Sequence, residues 1–307
     1  MKKKIWFIVN PISGKSKKKN LEKTIQKYLD HEIFDFKFIF SSHAGNLEEL
    51  AKEVVSNNID VLCVCGGDGS VHEAGRVLKG TKVVLAIIPV GSGNGFARHF
   101  KIPLKVKNAI LLLNDAKTVK VDTGIINNHV FLAFAGIAFD AKIANEYEGS
   151  KRRGFLRYAK LILKHYFFYK PIYIKGETID EKKLMICSVK NISEFGYGMS
   201  FSPGSFPADG KMELICIEQT PLYLIIPMLL GFMQKKEIQS KRLRKYSFSE
   251  IKFHSNATLL QVDGETRTLQ SSDIEIKVSD EKLRVMVDKA FKKQHRKIKK
   301  EILNENL

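Results

Sequence analysis

The chain has 307 residues, 44% apolar and 27% charged, with 51 Lys and Arg against 33 Asp and Glu and a formal charge of +18. A single core stops growing near ~250–300 residues, so two domains are expected, and these ordinary fractions exclude collagen-like and disordered classes. No stretch reaches the roughly 18 apolar residues of a spanning helix, since the longest candidate, Leu222–Met233, is broken by Pro227 and Gly231.

The apolar run behind Met1-Lys2-Lys3-Lys4 lasts only to Val9 and ends in Asn-Pro, which fits no secretory leader, so an intracellular protein is expected. Lys4–Asn10 reads as a strand, Lys19–Leu29 as a helix, Phe36–Phe40 as a strand and Asn46–Ser56 as a helix. Val61–Cys65 follows as a strand, Val71–Leu78 as a helix and Val83–Pro89 as a strand. Such alternation with short links predicts a parallel sheet covered by helices. After about residue 122 the texture becomes strands joined by turns: Val119–Ile126, His129–Ala135, Ile172–Lys175, Lys183–Val189, Met212–Glu218, Ser247–His254, Ala257–Val262, Asp273–Val278 and Leu283–Val287. These predict an antiparallel sandwich or barrel, interrupted by helices near 153–168 and 221–235 and followed by a helical tail from Lys289. The expected division is residues 1–122 with the tail from about 288–307, and a β-rich domain over 123–287. Cys63, Cys65, Cys187 and Cys216 show no metal or redox spacing and read as core residues of a reducing compartment.

Three loops follow strands of the first domain, where an open parallel sheet binds its ligands. Asn10-Pro-Ile-Ser-Gly-Lys15 lacks the glycine a P-loop needs five residues before Gly14, because position 9 is Val. It still offers turn amides, the Ser13 hydroxyl and the Lys15 cation to a phosphate. Gly66-Gly67-Asp68-Gly69-Ser70 precedes a helix, whose amino terminus adds positive potential where side-chain-free glycines expose backbone amides. Asp68 among those amides makes sense beside magnesium, or as a plain helix cap. Pro89-Val-Gly91-Ser92-Gly93-Asn94-Gly95-Phe96 fails the dinucleotide spacing at Phe96.

Together these residues resemble the diacylglycerol kinase catalytic domain family, which groups bacterial lipid kinases with sphingosine and ceramide kinases. Gly66-Gly-Asp-Gly69 alone also occurs in NAD kinases and phosphofructokinases. The wider match adds Asn10–Lys15, Pro89–Asn94, Phe206-Pro-Ala-Asp209-Gly210 and Val262-Asp-Gly-Glu265, in family order. The resemblance implies an NAD kinase/phosphofructokinase-like nucleotide-binding α/β domain, an antiparallel β-sandwich domain, and ATP in a cleft between them. It implies that Asn10, Ser13, Gly14, Lys15, Ser41, Gly66, Gly67, Asp68, Gly69, Ser70, Val71, His72, Glu73, Gly91, Ser92, Gly93 and Asn94 form the ATP site. Ser41 and Ser70 stand where the family usually has Thr, and Arg76 where it often has Asn. His72 taken by itself reads as a helix-surface residue.

Glu265 is the candidate general base by resemblance to the bacterial lipid kinases, whereas the sphingosine kinases point to Asp68. Taken alone, Asp263-Gly-Glu265 reads rather as a hairpin turn with an exposed glutamate, and only the co-occurring motifs reverse that. Asp209 with the carbonyls of Phe206 and Lys211 resembles a structural magnesium site, and Asp140 resembles the acidic residue of a lipid headgroup pocket. ATP and Mg2+ are thus the implied cofactors, and diacylglycerol the first acceptor. A sphingoid acceptor is the alternative, because Gly91-Ser-Gly-Asn94 is closer to the sphingosine and ceramide kinase version. An NAD kinase or a nucleic-acid-binding protein are the further readings.

The charge is localised: residues 151–170 hold seven Lys and Arg and no acid, residues 235–245 six and one, and residues 289–300 seven and none. An anionic partner follows, and for a lipid kinase that is an acidic membrane face rather than a specific nucleic acid. Arg152–Tyr169 mixes cations with Phe155, Leu156, Tyr158, Phe167 and Phe168, while the tail spaces Phe291, Ile298 and Ile302 along one helical side. With Leu222–Met233 they make three candidate membrane-facing segments. The expected location is cytoplasmic, peripheral to the inner face of the membrane, with a homodimer left open.

Overall fold

The computed structural model describes the chain apart from residues 12–19, 44, 149–154, 196–198, 201–205, 222, 226, 228–230, 232–233, 235–237, 239 and 306–307. Strand β1 (Lys3–Val9) starts on exposed lysines and ends in buried Phe7, Ile8 and Val9, as an inner strand covered on both faces must. It is followed by α1 (Leu21–Tyr28), β2 (Phe34–Phe40), α2 (Asn46–Ser56), β3 (Val61–Gly66), α3 (Asp68–Leu78), β4 (Val84–Pro89), α4 (Gly95–His99), α5 (Val106–Asp115) and β5 (Lys117–Val121). The mostly parallel sheet runs β2-β1-β3-β4, then Leu283–Val287, then β5. The chain passes from β1 to β2 on one side and returns to β3 on the other, so the loops after β1 and β3 flank the point where strand order reverses.

Two compact units result, Met1–Asp122 with Asp280–Leu307, and Thr123–Ser279. The strand Leu283–Val287 therefore does not belong to the β-rich unit, as its local pattern suggested. It pairs parallel to β4 and antiparallel to β5, and Leu283, Val285, Met286 and Val287 are buried. Period alone cannot tell which sheet covers such a strand. Likewise Val119–Ile126 is not one strand: β5 stops at Val121, and β6 (Gly124–Ile126) opens the second sheet. Helix α3 begins at Asp68 rather than Val71, and its first flanking residue is Gly67, so Asp68 is no side-chain cap.

The tail forms α8 (Lys289–Glu305). Phe291 is buried, its ring 5.4 Å from that of Phe100, and His295 is buried one turn on. Lys289 pairs with Asp115 at 2.6 Å. Phe291 is thus spent on the first unit's own core and is not an apolar residue offered to a bilayer.

The second unit continues with β7 (His129–Phe131), β8 (Phe134–Gly136), α6 (Phe139–Glu148), α7 (Phe155–Tyr166), β9 (Ile172–Gly176), β10 (Lys182–Lys190), β11 (Glu194–Phe195), β12 (Met199–Ser200) and β13 (Met212–Glu218). It closes with β14 (Leu243–Phe248), β15 (Glu250–Ser255), β16 (Leu259–Val262), β17 (Glu265–Thr268) and β18 (Asp273–Val278). Its main sheet is antiparallel, ordered β17-β16-β8-β10-β9-β15-β18-β6-β7 with β13 on β10 and β14 on β13. The strands wrap one apolar core that includes Phe131, Ile174, Val189, Leu214, Leu260 and Ile274, the sandwich expected of this half. All four cysteines are free and buried. No helix among the described residues is long and apolar enough to cross a membrane.

One turn positions the strand that starts at Glu265. Asp263 (φ 49°) and Gly264 (φ 92°) are both left-handed, the two-residue turn that matches strand twist between β16 and β17. The Asp263 carboxylate accepts the backbone N–H groups of Leu132 at 2.7 Å, Ala133 at 2.9 Å and Phe134 at 2.8 Å. Its own N–H donates to the Phe134 carbonyl at 2.9 Å. Charge-assisted hydrogen bonds are worth more than neutral ones, and losing the acceptor strands the donors. Asp263→Ala should therefore cost the second unit about 2–4 kcal/mol, read as a lower denaturant midpoint, and Asp263→Asn should cost less. An unchanged midpoint in Asp263→Ala would mean that the backbone makes the turn unaided.

Candidate active site

In the first unit, glycine lets two loops close on each other at the carboxyl edge of the sheet. A Cβ on Gly91 would lie 2.5 Å from the Gly67 Cα and 2.8 Å from Asn94 Oδ1. A Cβ on Gly66 would lie 2.6 Å from that of Ser70. Only glycine permits these approaches. The N–H groups of Val90 and Gly91 both donate to the Gly66 carbonyl, at 3.1 and 3.3 Å. Around Gly69, by contrast, the space is open. The result is an α3 amino terminus flanked by glycine backbone and open at Gly69.

The neighbouring polar residues are tied to this frame. Asn10 Nδ2 donates to the buried Ser70 hydroxyl at 3.1 Å, crossing from the end of β1 to the start of α3. Ser41, buried at the end of β2, donates its N–H to Val9 at 3.0 Å. Asp68 Oδ1 accepts the Phe96 N–H at 3.2 Å, joining the second glycine loop to the third. Asn94 is left-handed (φ 53°) and donates Nδ2 to the Gly91 carbonyl at 2.8 Å. Its buried Oδ1 has no hydrogen-bond partner among the described residues. Ser92 is exposed, Gly93 and Glu73 are half-buried, and Val71 is buried. His72 is buried as well, not on the helix surface as its position suggested. Arg76, standing where an Asn was expected, forms an ion pair with Glu48 of α2. That partnership holds two helices together rather than reaching a nucleotide. Ser13, Gly14 and Lys15 lie outside the described residues.

In the second unit, Gly136 makes room for a carboxylate. A Cβ there would sit 1.6 Å from Asp140 Oδ2. Its cross-strand partners are Ser188 on β10 and Gln261 on β16. Both reach Asp140 Oδ2, Ser188 at 2.6 Å and Gln261 at 3.3 Å. Gln261 also accepts the Gly264 N–H at 3.1 Å, so Asp140 is linked through it to the turn before Glu265. Glu265 is about one-third exposed, and its carboxylate accepts from Arg267 at 3.1 Å. Hence it is neither a buried acid nor the exposed turn residue of the simplest reading.

Sequence reasoning missed Lys190, which is buried with its Nζ 4.3 Å from the Phe134 ring centroid. Burial pushes its ammonium down to about 8, against the opposing pull of Asp140 and Asp263. The available signal was a lysine closing the apolar run Leu184–Val189, two residues from Ser188 and therefore on the same strand face. Asp209 accepts the Lys211 N–H at 2.8 Å, and the Phe206 carbonyl accepts the Ala208 N–H at 2.8 Å, with Gly210 left-handed at φ 75°. This turn gathers carboxylate and carbonyl oxygens, the donor set of a hard cation. No cluster of three or more His, Cys, Asp or Glu suited to a metal occurs among the described residues.

Comparison with known proteins gives a family match over each half of the chain. The diacylglycerol kinase catalytic domain matches residues 4–126, and the YegS C-terminal NAD kinase beta sandwich-like domain matches residues 134–287. The chain is 27% identical over 258 residues to a diacylglycerol kinase of Mycobacterium tuberculosis, covering 78% of this chain and 83% of that one. It is 31% identical over 138 residues to a diacylglycerol kinase of Staphylococcus aureus, covering 44% of each. The fold is that of a crystal structure of a diacylglycerol kinase from Bacillus anthracis, with a TM-score of 0.70 at 21% identity over 94% of this chain and 98% of that one. With both halves matched in order, the chain belongs to the diacylglycerol kinase catalytic domain family and is a lipid kinase, a phosphotransferase with an alcohol group as acceptor.

Proposed function

We propose that this lipid kinase transfers the γ-phosphate of ATP, with Mg2+, to the hydroxyl of diacylglycerol, giving phosphatidic acid at the cytoplasmic face of a membrane. The observation that carries the nucleotide half is the contact of Gly67 with Gly91 in front of the α3 amino terminus. Phosphoryl transfer is catalysed mainly by positioning and by neutralising charge, and exposed amides at a helix start do both. Ser70 and Asn10 would orient phosphate oxygens, and Asn94 Oδ1 would accept from a nucleotide donor. Ser13, Gly14 and Lys15 would add a hydroxyl, an amide and a cation. Magnesium, when bound, neutralises phosphate charge. Asp68 is the carboxylate that would hold the ion or its waters there, and Asp209 with the Phe206 and Lys211 carbonyls would hold a structural one.

On the acceptor side, Glu265 would take the proton of the lipid hydroxyl as its oxygen attacks the γ-phosphorus and ADP leaves. Asp140, held in place by Ser188 and Gln261, would meet the polar end of the lipid. The Ser92 version of the third glycine loop favours a sphingoid base or ceramide as the second reading.

Three outcomes test these roles. Glu265→Ala should lower transfer by about 10²–10⁴-fold, the range of general acid–base catalysis, while ATP affinity holds. Asp68→Ala should abolish transfer and weaken magnesium-dependent ATP binding; full activity in either variant would remove that residue from the mechanism. Gly91→Ala forces the Gly67 backbone away and should weaken ATP binding roughly tenfold or more in calorimetric titration without unfolding the protein. Equal affinity would show that the loop contact does not shape the nucleotide site.

A further inference from the structure

Strands β8, β10 and β16 turn one face to the core of the second unit, where Ala135, Val189 and Val262 pack. Their chain neighbours Phe134, Gly136, Ser188, Lys190 and Gln261 therefore point to the opposite face, because side chains alternate along a strand. Strand register sets Lys190 beside Phe134, and Ser188 and Gln261 on either side of Gly136. Asp140 of α6 covers this face and accepts from Ser188 and Gln261. Four of these five strand residues are neutral, and the fifth is a cation.

Lys190 takes no part in the proposed transfer, yet it is the one buried lysine or arginine among the described residues, at 4% exposed. Burying an ammonium is costly unless other groups compensate. The Phe134 ring lies 4.3 Å from its Nζ, and the carboxylates that favour its charge are Asp140 and Asp263. Glu213 stands opposite it on β13 but is only half-buried. Asp263 serves three backbone N–H groups of its own turn, whereas Asp140 stands where the polar end of the lipid would meet the protein. Lys190 and Ser188 are two residues apart on one strand face, about 7 Å, so ammonium and Asp140 carboxylate share one buried layer. Desolvation lowers the ammonium to about 8, which still leaves it protonated near neutrality. The phenols of Tyr158 and Tyr169, raised chiefly by burial and then by Asp140, stay neutral.

A lone carboxylate at the polar end of a lipid selects a cation. With an ammonium in the same layer, the charge is already balanced, and a second cation would meet repulsion that water screens poorly. We propose that Lys190 sets the acceptor class by neutralising Asp140, so that the site takes a lipid with an uncharged, hydroxyl-bearing end and refuses a protonated amine. The proposal rests on the lipid-kinase reading of Asp140 and deepens it. Diacylglycerol and ceramide are uncharged, whereas a sphingoid base carries an ammonium near neutrality.

The test measures kcat/KM for transfer from ATP to diacylglycerol, ceramide and sphingosine in mixed micelles. Wild type should use diacylglycerol or ceramide, whichever it labels naming the source, and sphingosine should be at least about tenfold poorer. Lys190→Met keeps the apolar stem without the charge and should close that gap, chiefly through KM for sphingosine. Adding Asp140→Asn should abolish the gain, because the amine then has no carboxylate to meet. A wild type that favours sphingosine, or a folded Lys190→Met with the wild-type preference, would overturn the proposal. Circular dichroism reports folding, and Lys190→Gln is the second variant. If neither folds, the lysine is structural and the proposal fails. Anisotropy of fluorescently labelled sphingosine and diacylglycerol, read without ATP, is the separate readout. Transfer to none of the lipids by wild type would sink the lipid acceptor, and tighter sphingosine binding by Lys190→Met would still uphold the role of Lys190. Equal sphingosine binding by the two proteins would remove that role.

Discussion

The first unit depends on two backbones approaching where no side chain fits. Gly67 and Gly91 stand at the ends of adjacent parallel strands, and a Cβ at Gly91 would come within 2.5 Å of the Gly67 Cα. The sheet brings these ends together because β3 and β4 pair in register from Val61 with Val84 to Gly66 with Pro89. Once they meet, Asp68 can take the Phe96 N–H and Asn10 can reach Ser70. The end of β1 and two sequence-distant loops become one surface. The free energy of ordering them is thereby spent in folding, the preorganisation that the proposed phosphate site calls for.

A similar economy governs the second unit. Gly136 is the missing side chain over which Asp140 folds, and its neighbours on both flanking strands supply the hydrogen bonds. Asp263 anchors the turn to the 132–134 backbone, and Gln261 couples that turn to Asp140. Lys190, buried with its charge disfavoured by desolvation, gains from the nearby carboxylates. Asp140 and Asp263 are therefore held through strand partners and neighbouring backbone rather than by loop composition alone.

What could be read in advance follows from range. The glycine loops, the Asp-Gly turn and the change from helix-strand alternation to strands are local patterns, and each was legible in the sequence. What failed was set by distant partners. Leu283–Val287 has the texture of any buried strand, and only pairing with β4 and β5 assigns it to the first sheet. Phe291 has amphipathic spacing, but Phe100 covers it. His72 is buried by tertiary packing that no helical pattern reveals. Arg76 was conspicuous as a departure from the family pattern, yet its partner Glu48 lies on another helix. Asp263 was read only as a turn residue, although its carboxylate holds three backbone groups.

The most direct measurement is phosphate transfer from γ-labelled ATP with magnesium, offering diacylglycerol, sphingosine, ceramide and NAD separately, the lipids in mixed micelles. Labelled phosphatidic acid is the expected product; label on a sphingoid lipid would keep the mechanism and change the acceptor. Label on NAD alone, or on no acceptor while ATP still binds, would contradict it.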